Sequence, residues 1–280
     1  MRCGPASGSP VHQANHFYGH AHILARYCGL DAEHPPRIQG YLQHGWNIGD
    51  GIGAVRYVEG SPIYVWSQPT RRRAIAHGRR RVHVTGAPLL YLMAMSASVA
   101  PSREGTIWYP FHGWENQNVD GDHGRLIDTI RAVETGRVTV CLYWKEHRDP
   151  RLRARYERAG FRVICHGYRG QNWTGTDTRF LTKQLAELRA HRRVASNRLA
   201  SAVFYGIIAG CEPAVYGDPM VLQNEDQTFG GHARVLRQWA GLHGEAVDLA
   251  LAREAAAEEL GAASVLGPVE LASVLGWTGP

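Results

Sequence analysis

The run from His191 to Gly217, HRRVASNRLASAVFYGIIAGCEPAVYG, places a strand, a capped helix, a tight stop and a second strand in immediate succession. That order is the outline of a strand–helix–strand unit in a parallel sheet. Ser196 or Asn197 can cap the helix, which sets free backbone N–H groups and the positive end of the helix dipole beside Arg198. Ala200, Ser201, Ala202 and Gly206 are small enough to let the helix lie close to a sheet, Gly210 suits its stop, and AVYG resumes an extended run. A helix start of this kind attracts anions, and a nucleotide diphosphate fits it. A plain strand–helix–strand unit needs the same helix, so the pattern alone leaves both readings open.

The alternation extends upstream. Strands are expected at 106–112 (TIWYPFH), 138–144 (VTVCLYW), 161–166 (FRVICH), 193–196 and 214–216, with helices at 126–134, 150–159 and 180–190, which predicts a doubly wound parallel sheet. The first hundred residues read as a separate αβ half. A helix is expected over 16–28, ended by Gly29, and strands over 37–44 (RIQGYLQH), 62–66 (PIYVW) and 81–85 (RVHVT). Residues 95–105 lose periodicity and gather Ser, Pro and Gly, as an interdomain linker does. The last forty or so residues are Ala- and Glu-rich and helical, with Trp277 packing the end back onto the body.

With 280 residues, 44% of them hydrophobic and 20% charged, the chain can bury a substantial core. Its 31 Lys and Arg against 25 Asp and Glu leave a net charge of +6, which favours acidic partners. The excess gathers in two groups, Arg71, Arg72, Arg73, Arg79, Arg80 and Arg81, then Arg148, Arg151, Arg153, Arg155 and Arg158. Solvated helix faces account for these better than a nucleic-acid stripe. The five cysteines are scattered and form no C-x-x-C pair, which argues against a zinc ribbon or disulfide framework and for a reducing compartment. No run approaches the ~18 apolar residues of a membrane span, and the opening MRCGPASGSP has no apolar signal core. A cytoplasmic enzyme is expected, with peripheral membrane association open.

Polar clusters follow several expected strands, where open parallel sheets collect ligands. In GYLQHGWN, His44 is the candidate general base, since a neutral imidazole can take the proton of an attacking sugar hydroxyl, and Asp50 is its rival. A strand-end histidine bonded to backbone in a tight turn is the alternative for His44. His112 lies after the next half's first strand, placed to orient an acceptor hydroxyl or meet donor phosphates. Lys145 and Arg169 are positioned to neutralise phosphate, and His166 and Tyr168 to face a nucleobase. His12, His16, His20 and His22 crowd one expected helical face but lack a carboxylate or cysteine to complete a metal set. Asp120-Gly121-Asp122 has the D-x-D spacing of some sugar transferases, yet a helix cap explains it as well. Neither G-x-S-x-G nor the P-loop pattern occurs.

Taken together, GYLQHGWN, VTGAPLLYL, TIWYPFHGW and SNRLASAVFYGIIAGCEPAVYG resemble bacterial surface-polysaccharide and natural-product glycosyltransferases of the GT-B fold, over nearly the whole chain. The resemblance implies an α/β protein with two Rossmann-like domains facing a cleft: 1–100 on the acceptor side, 101–243 binding the nucleotide-sugar, and a helical C-terminal tail over 244–280. It implies a nucleotide-sugar co-substrate, no cofactor, a dispensable metal, and a glycan, lipid-linked or small-molecule acceptor attacked in a single inverting displacement. The QHG turn is also similar to the histidine-glycine turn of the polyol-phosphate transferases that build teichoic acids, with His44 at the position of their base. The helix near Ser196 matches the family's donor-phosphate helix, which brings Ser196, Asn197, Arg198 and Ser201 to the leaving diphosphate, with Lys145 and Arg169. On this reading, loss of Arg198 slows turnover far more than it weakens folding. Three features depart from the family: the chain is shorter than most members, a spaced glutamate pair is missing, and no clear first strand with a Gly-rich loop opens it. Transfer of a phosphopolyol or pyruvyl group, or nonenzymatic binding of an anionic ligand, are the rival functions.

Overall fold

A computed structural model describes residues 11–53, 58–96, 102–171, 175–225 and 229–277; residues 97–101, in the expected linker, lie outside the described residues. A 3-10 stretch, Gln13–Gly19, leads into α1 (His20–Tyr27). Three short parallel strands follow, β1 (Tyr41–Leu42), β2 (Ile63–Val65) and β3 (Val82–Val84), adjacent in that order, with α2 (Gln68–Ala76) before β3 and α3 (Pro88–Met95) after it. The second half runs β4 (Thr106–Tyr109), β5 (Val119–Asp120), α4 (His123–Val133), β6 (Val138–Cys141), α5 (Trp144–Arg148), α6 (Pro150–Arg158), β7 (Arg162–Ile164), α7 (Phe180–Ala190), β8 (Arg193–Ser196), α8 (Ser201–Ile208) and β9 (Glu212–Val215). Then come β10 (Val221–Leu222), α9 (Gly231–Gln238), α10 (Leu249–Leu260) and α11 (Pro268–Val274).

The larger sheet has the order β7-β6-β4-β8-β9 and every pairing in it is parallel. The chain steps from β4 outward through β6 to β7, then returns to the other side of β4 as β8. Strand order therefore reverses between β4 and β8, and the loops leaving their carboxyl ends diverge around a crevice. The strands β2 and β6 are buried throughout, as expected of parallel strands covered on both faces. One apolar core joins the parts: Leu24 of α1, Trp66 after β2, Leu92 of α3, Val194 of β8, Phe204 of α8, Leu260 of α10 and Leu271 of α11 belong to the same cluster. The C-terminal helices are thus part of the body, with α10 packed on α8 and α2 and Trp277 resting against the shared core.

The structure differs from the sequence-based expectation at two helix starts. The expected helix over 16–28 is broken, because Phe17 is extended and Tyr18 sits at φ +57°, so α1 begins only at His20. The histidines consequently do not share a face. His12 accepts the N–H of Ala14 at 3.1 Å, His16 and His22 hydrogen-bond to one another at 2.8 Å, and His20 packs against Tyr18 and Trp66. The helix expected from Ser196 or Asn197 begins at Ser201, with Ala200 as its uncapped N-cap residue. Ser196 instead ends β8, and Asn197 is held out of the helix because its Oδ1 accepts the N–H of Phe111 at 2.6 Å while its Nδ2 donates to the Asp218 carbonyl at 2.7 Å. Asp122 does cap, its Oδ1 accepting the N–H groups of Gly124 and Arg125 at the start of α4.

The small residues of α8 do let it approach the sheet. A Cβ added at Gly206 would lie 2.4 Å from Cγ1 and 2.6 Å from Cβ of Val194 in β8, and neither atom can swing away. Gly206→Ala is therefore expected to lower stability by about 1–3 kcal/mol through overpacking, although alanine is the better helix former. Denaturant unfolding of the variant checks this, and an unchanged midpoint would show that α8 and β8 are not in close contact.

Candidate functional site

A cavity of about 200 Å³ opens where the carboxyl ends of β4, β6 and β8 meet the residues following β1. Tyr109, Pro110 and His112 border it after β4, Tyr143 and Trp144 after β6, His166 after β7, and Ser196, Ala200 and Ser201 between β8 and α8. Tyr18, His20, His44 and Gly45 close it from the N-terminal half. The cavity therefore sits at the strand-order reversal of the larger sheet and is completed by the smaller one. Its wall is aromatic and imidazole-rich, and no Asp, Glu, Lys or Arg borders it among the described residues.

His44 is set by β1 and by Tyr41, whose hydroxyl lies 2.8 Å from its Nδ1. In the tautomer where Nδ1–H donates to the Tyr41 oxygen, Nε2 carries the lone pair a general base needs. Burial, followed by the nearby Arg169 guanidinium and His12, pushes the His44 pKa down to about 3, so the ring is neutral near pH 7. The edge of His44 packs on Phe17 at 5.3 Å between ring centroids.

Opposite elements meet at Ser201. The backbone N–H of Trp46 donates to Ser201 Oγ at 2.8 Å, which seats the His44-Gly45-Trp46 turn on the first residue of α8. Ala200 offers no side-chain cap, and the N–H groups of Ser201 and Ala202, as the first two helical residues, have no carbonyl four residues back to bond. Ala200, Ser201 and Ala202 all border the cavity, so partial positive charge faces into it.

The other expected site residues fall into two groups. His112, His166 and Ser196 border the cavity. His112 stacks on Tyr143 with centroids 4.2 Å apart, and His166 Nε2 is 3.0 Å from the Tyr109 hydroxyl. Asp50, Lys145, Tyr168, Arg169, Asn197 and Arg198 lie outside the wall, each with its own partners. Asp50 is fully buried, taking Arg79 Nε at 2.8 Å and the N–H of Gly53 at 2.7 Å, so it is a structural ion pair away from the cavity. Lys145 is exposed and donates to Asn118 Oδ1 at 2.7 Å. Tyr168 packs edge-on against Trp144 at 4.8 Å. Arg169 forks onto both carboxylate oxygens of Glu115, with Nε to Oε1 at 3.2 Å, and lies over the Phe17 ring at 4.1 Å. Arg198 donates to the carbonyls of Pro219 and Met220 and to Glu225 at 2.8 Å.

Sequence reasoning passed over His20 as a cavity residue, along with Tyr18, Trp144, Cys141 and Cys165, all of which border the cavity. The only available signal was the position of His20 in a histidine-rich stretch, and that pointed toward a shared helical face. No protein-family model matches the chain, and no curated protein matches it either.

Arg198→Ala removes one partner of a largely buried ion pair together with two carbonyl contacts, so a loss of about 2–4 kcal/mol in stability is expected, reversing the sequence-based expectation for this residue. A thermal unfolding midpoint unchanged from the native protein would contradict it.

Stability should also fall with acid. Burial, then His44, lowers the His20 pKa to about 3, and burial lowers that of His166 to about 4. Both values lie below the ordinary histidine value near 6.5 that the unfolded chain recovers. Between that value and the folded pKa the unfolded chain binds protons that the folded chain refuses, so each ring costs stability as pH drops, at up to about 1.4 kcal/mol per pH unit. Unfolding midpoints between pH 7.5 and roughly pH 4.5 are expected to decline steeply, and the decline should be shallower in His166→Gln. Identical slopes for native protein and variant would remove His166 from this account.

Proposed function

We propose that this chain is a glycosyltransferase of the GT-B type, moving a sugar from a nucleotide-sugar donor to an acceptor hydroxyl by single inverting displacement. One observation carries the reading: the uncapped start of α8, at the strand reversal of one parallel sheet, and His44, at the end of a strand in the other, border one cavity and are tied through Trp46 and Ser201. A positive helix end and a neutral imidazole base facing one space are what a transfer with an anionic leaving group requires.

In this mechanism the acceptor hydroxyl hydrogen-bonds to His44 Nε2. As its oxygen attacks the anomeric carbon, the proton passes to the imidazole and the bond from that carbon to the phosphate oxygen breaks. Charge developing on the departing phosphate oxygen is met by the N–H groups of Ser201 and Ala202. In the tautomer this requires, Tyr41, 2.8 Å from Nδ1, holds the ring orientation by accepting Nδ1–H. Arg169, paired with Glu115 and resting on Phe17, acts as a positioning residue behind His44 rather than as a phosphate ligand. The resemblance supplies the nucleotide-sugar and the acceptor classes, whether glycan, lipid-linked or small molecule.

His44→Gln is expected to lower kcat/KM by about 10²–10⁴ while leaving the fold intact. A panel of nucleotide-sugars with polysaccharide acceptors, followed by product mass, tests both parts. A product heavier by a phosphopolyol or pyruvyl group would replace glycosyl transfer with its rival, undiminished turnover by the variant would remove His44 from the chemistry, and no donor consumption at all would end the reading.

A further inference from the structure

We propose that the crevice between α2, α9 and α10 binds a tetrahedral oxyanion of the phosphate type through Arg72 and Arg234, and that the bound ion stiffens the loop carrying Trp46. It is a site apart from the cavity: among the described residues none borders both, and binding there does not depend on the transferase reading.

The crevice, of about 310 Å³, is lined by Arg72 and Arg73 of α2, Arg234 of α9, Trp239 after it, and Glu258 and Glu259 of α10. Three guanidinium groups and two carboxylates therefore share it, and their pairing is uneven. Arg73 forks onto both oxygens of Glu259 at 3.0 and 2.8 Å, and both side chains are largely buried, so this pair is closed. Arg72 and Glu258 stand 3.6 Å apart with both side chains more than half exposed, a long and water-screened contact that fixes neither. Arg234 meets no carboxylate among the described residues and spends an N–H on the Phe229 carbonyl at 3.2 Å.

Arg72 and Arg234 stand on separate helices, so a ligand that satisfies both must offer acceptors in more than one direction. A tetrahedral oxyanion does this, whereas the two coplanar oxygens of a carboxylate suit a single fork. Glu258 yields its place readily because its contact with Arg72 is exposed and long. Glu259 does not repel the ion strongly, since its charge is met by Arg73 and by the Trp46 indole N–H.

The lining of the crevice touches the loop after β1 at three points. Arg73 Nε donates to the Gly49 carbonyl at 2.9 Å. Phe229, whose backbone carbonyl Arg234 holds, lays its ring on Gly49, where an added Cβ would come within 2.7 Å of it. Trp239 packs on Trp46 with centroids 5.2 Å apart. An ion bridging Arg72 and Arg234 fixes α2 and α9 relative to one another, and with them these contacts.

The test titrates sodium phosphate into the full chain by calorimetry, with ionic strength held constant in chloride, and follows backbone hydrogen exchange over residues 44–51 with and without phosphate. Arg72→Gln and Arg234→Gln are each expected to weaken phosphate binding about tenfold or more. Arg237→Gln, at an exposed position of α9 outside the crevice, should leave it unchanged. Phosphate should slow exchange in the segment in the native protein and not in Arg234→Gln. Absence of saturable binding, equal weakening by Arg237→Gln, or binding insensitive to both crevice variants would overturn the site, the last by placing the ion elsewhere, as at the start of α8. Binding that depends on both arginines but leaves exchange unchanged would overturn the link to Trp46. If Arg234→Gln lowers the unfolding midpoint without phosphate, Arg72→Gln, whose side chain is 68% exposed, decides between lost binding and lost fold. A chain that binds phosphate here and consumes no nucleotide-sugar would end the transferase reading alone.

Discussion

Trp46 holds the two sheets in the relation on which the cavity depends. Its backbone N–H bonds Ser201 at the start of α8, and its indole N–H donates to Glu259 of α10 at 2.8 Å. Its ring packs against Phe204 of α8 and Trp239 after α9, with centroids 4.9 and 5.2 Å away. Glu259, itself buried, is gripped by Arg73 of α2 through both carboxylate oxygens. A single residue thus joins the turn carrying His44 to the start of α8, to α10, and through Glu259 of that helix to α2. A buried carboxylate held by guanidinium and indole N–H groups is stable only while all partners stay in place, so this joint resists partial opening.

The arginines show how far charge counting can mislead about a site. By sequence Arg73 and Arg79 belong to a basic excess and Arg169 and Arg198 to the expected phosphate ligands, but each meets a carboxylate at a site that is largely buried on both sides. Guanidinium groups serve here as forked ties between loops. The cavity is left with backbone dipole and neutral imidazole, a weaker but fixed field whose donors need not reorganise when a ligand arrives.

What the sequence made legible follows from range. The βαβ alternation, the parallel sheet, β8 over 193–196, α7 over 180–190 and the close packing at Gly206 rest on local apolar periodicity and on small residues, and the structure bears them out. The start of α8 was misplaced by a few residues, because Asn197 is recruited by Phe111 and Asp218, partners remote in sequence that no local pattern announces. The antiparallel pair of β5 and β10 was invisible for the same reason, since two residues on each side are too few to show a period. His44 was legible as a residue bordering the cavity because it follows an apolar strand beside glycine. His20 was not, because its place beside the cavity depends on the break at Phe17 and Tyr18 that starts α1 late, which no local pattern announces.

The depressed pKa of His44 bears on how the proposed reaction would be ordered. A base with a pKa of about 3 is a poor proton acceptor, since general-base efficiency is best when the pKa lies near the working pH. The main cause is removal from water, and the next is the positive Arg169 nearby. Both act against the imidazolium, and an anionic phosphate entering the same water-poor cavity acts for it. Donor binding would therefore raise the basicity of His44 at the moment it is needed and leave the imidazole inert in the empty protein. On the proposed reading the α8 start would have two effects from one field: it would hold the phosphate, and by holding it bring a negative charge into the cavity that His44 borders. An acceptor arriving first would meet an imidazole that can hydrogen-bond its hydroxyl but cannot take its proton, which makes acceptor binding alone unproductive and places donor binding ahead of chemistry.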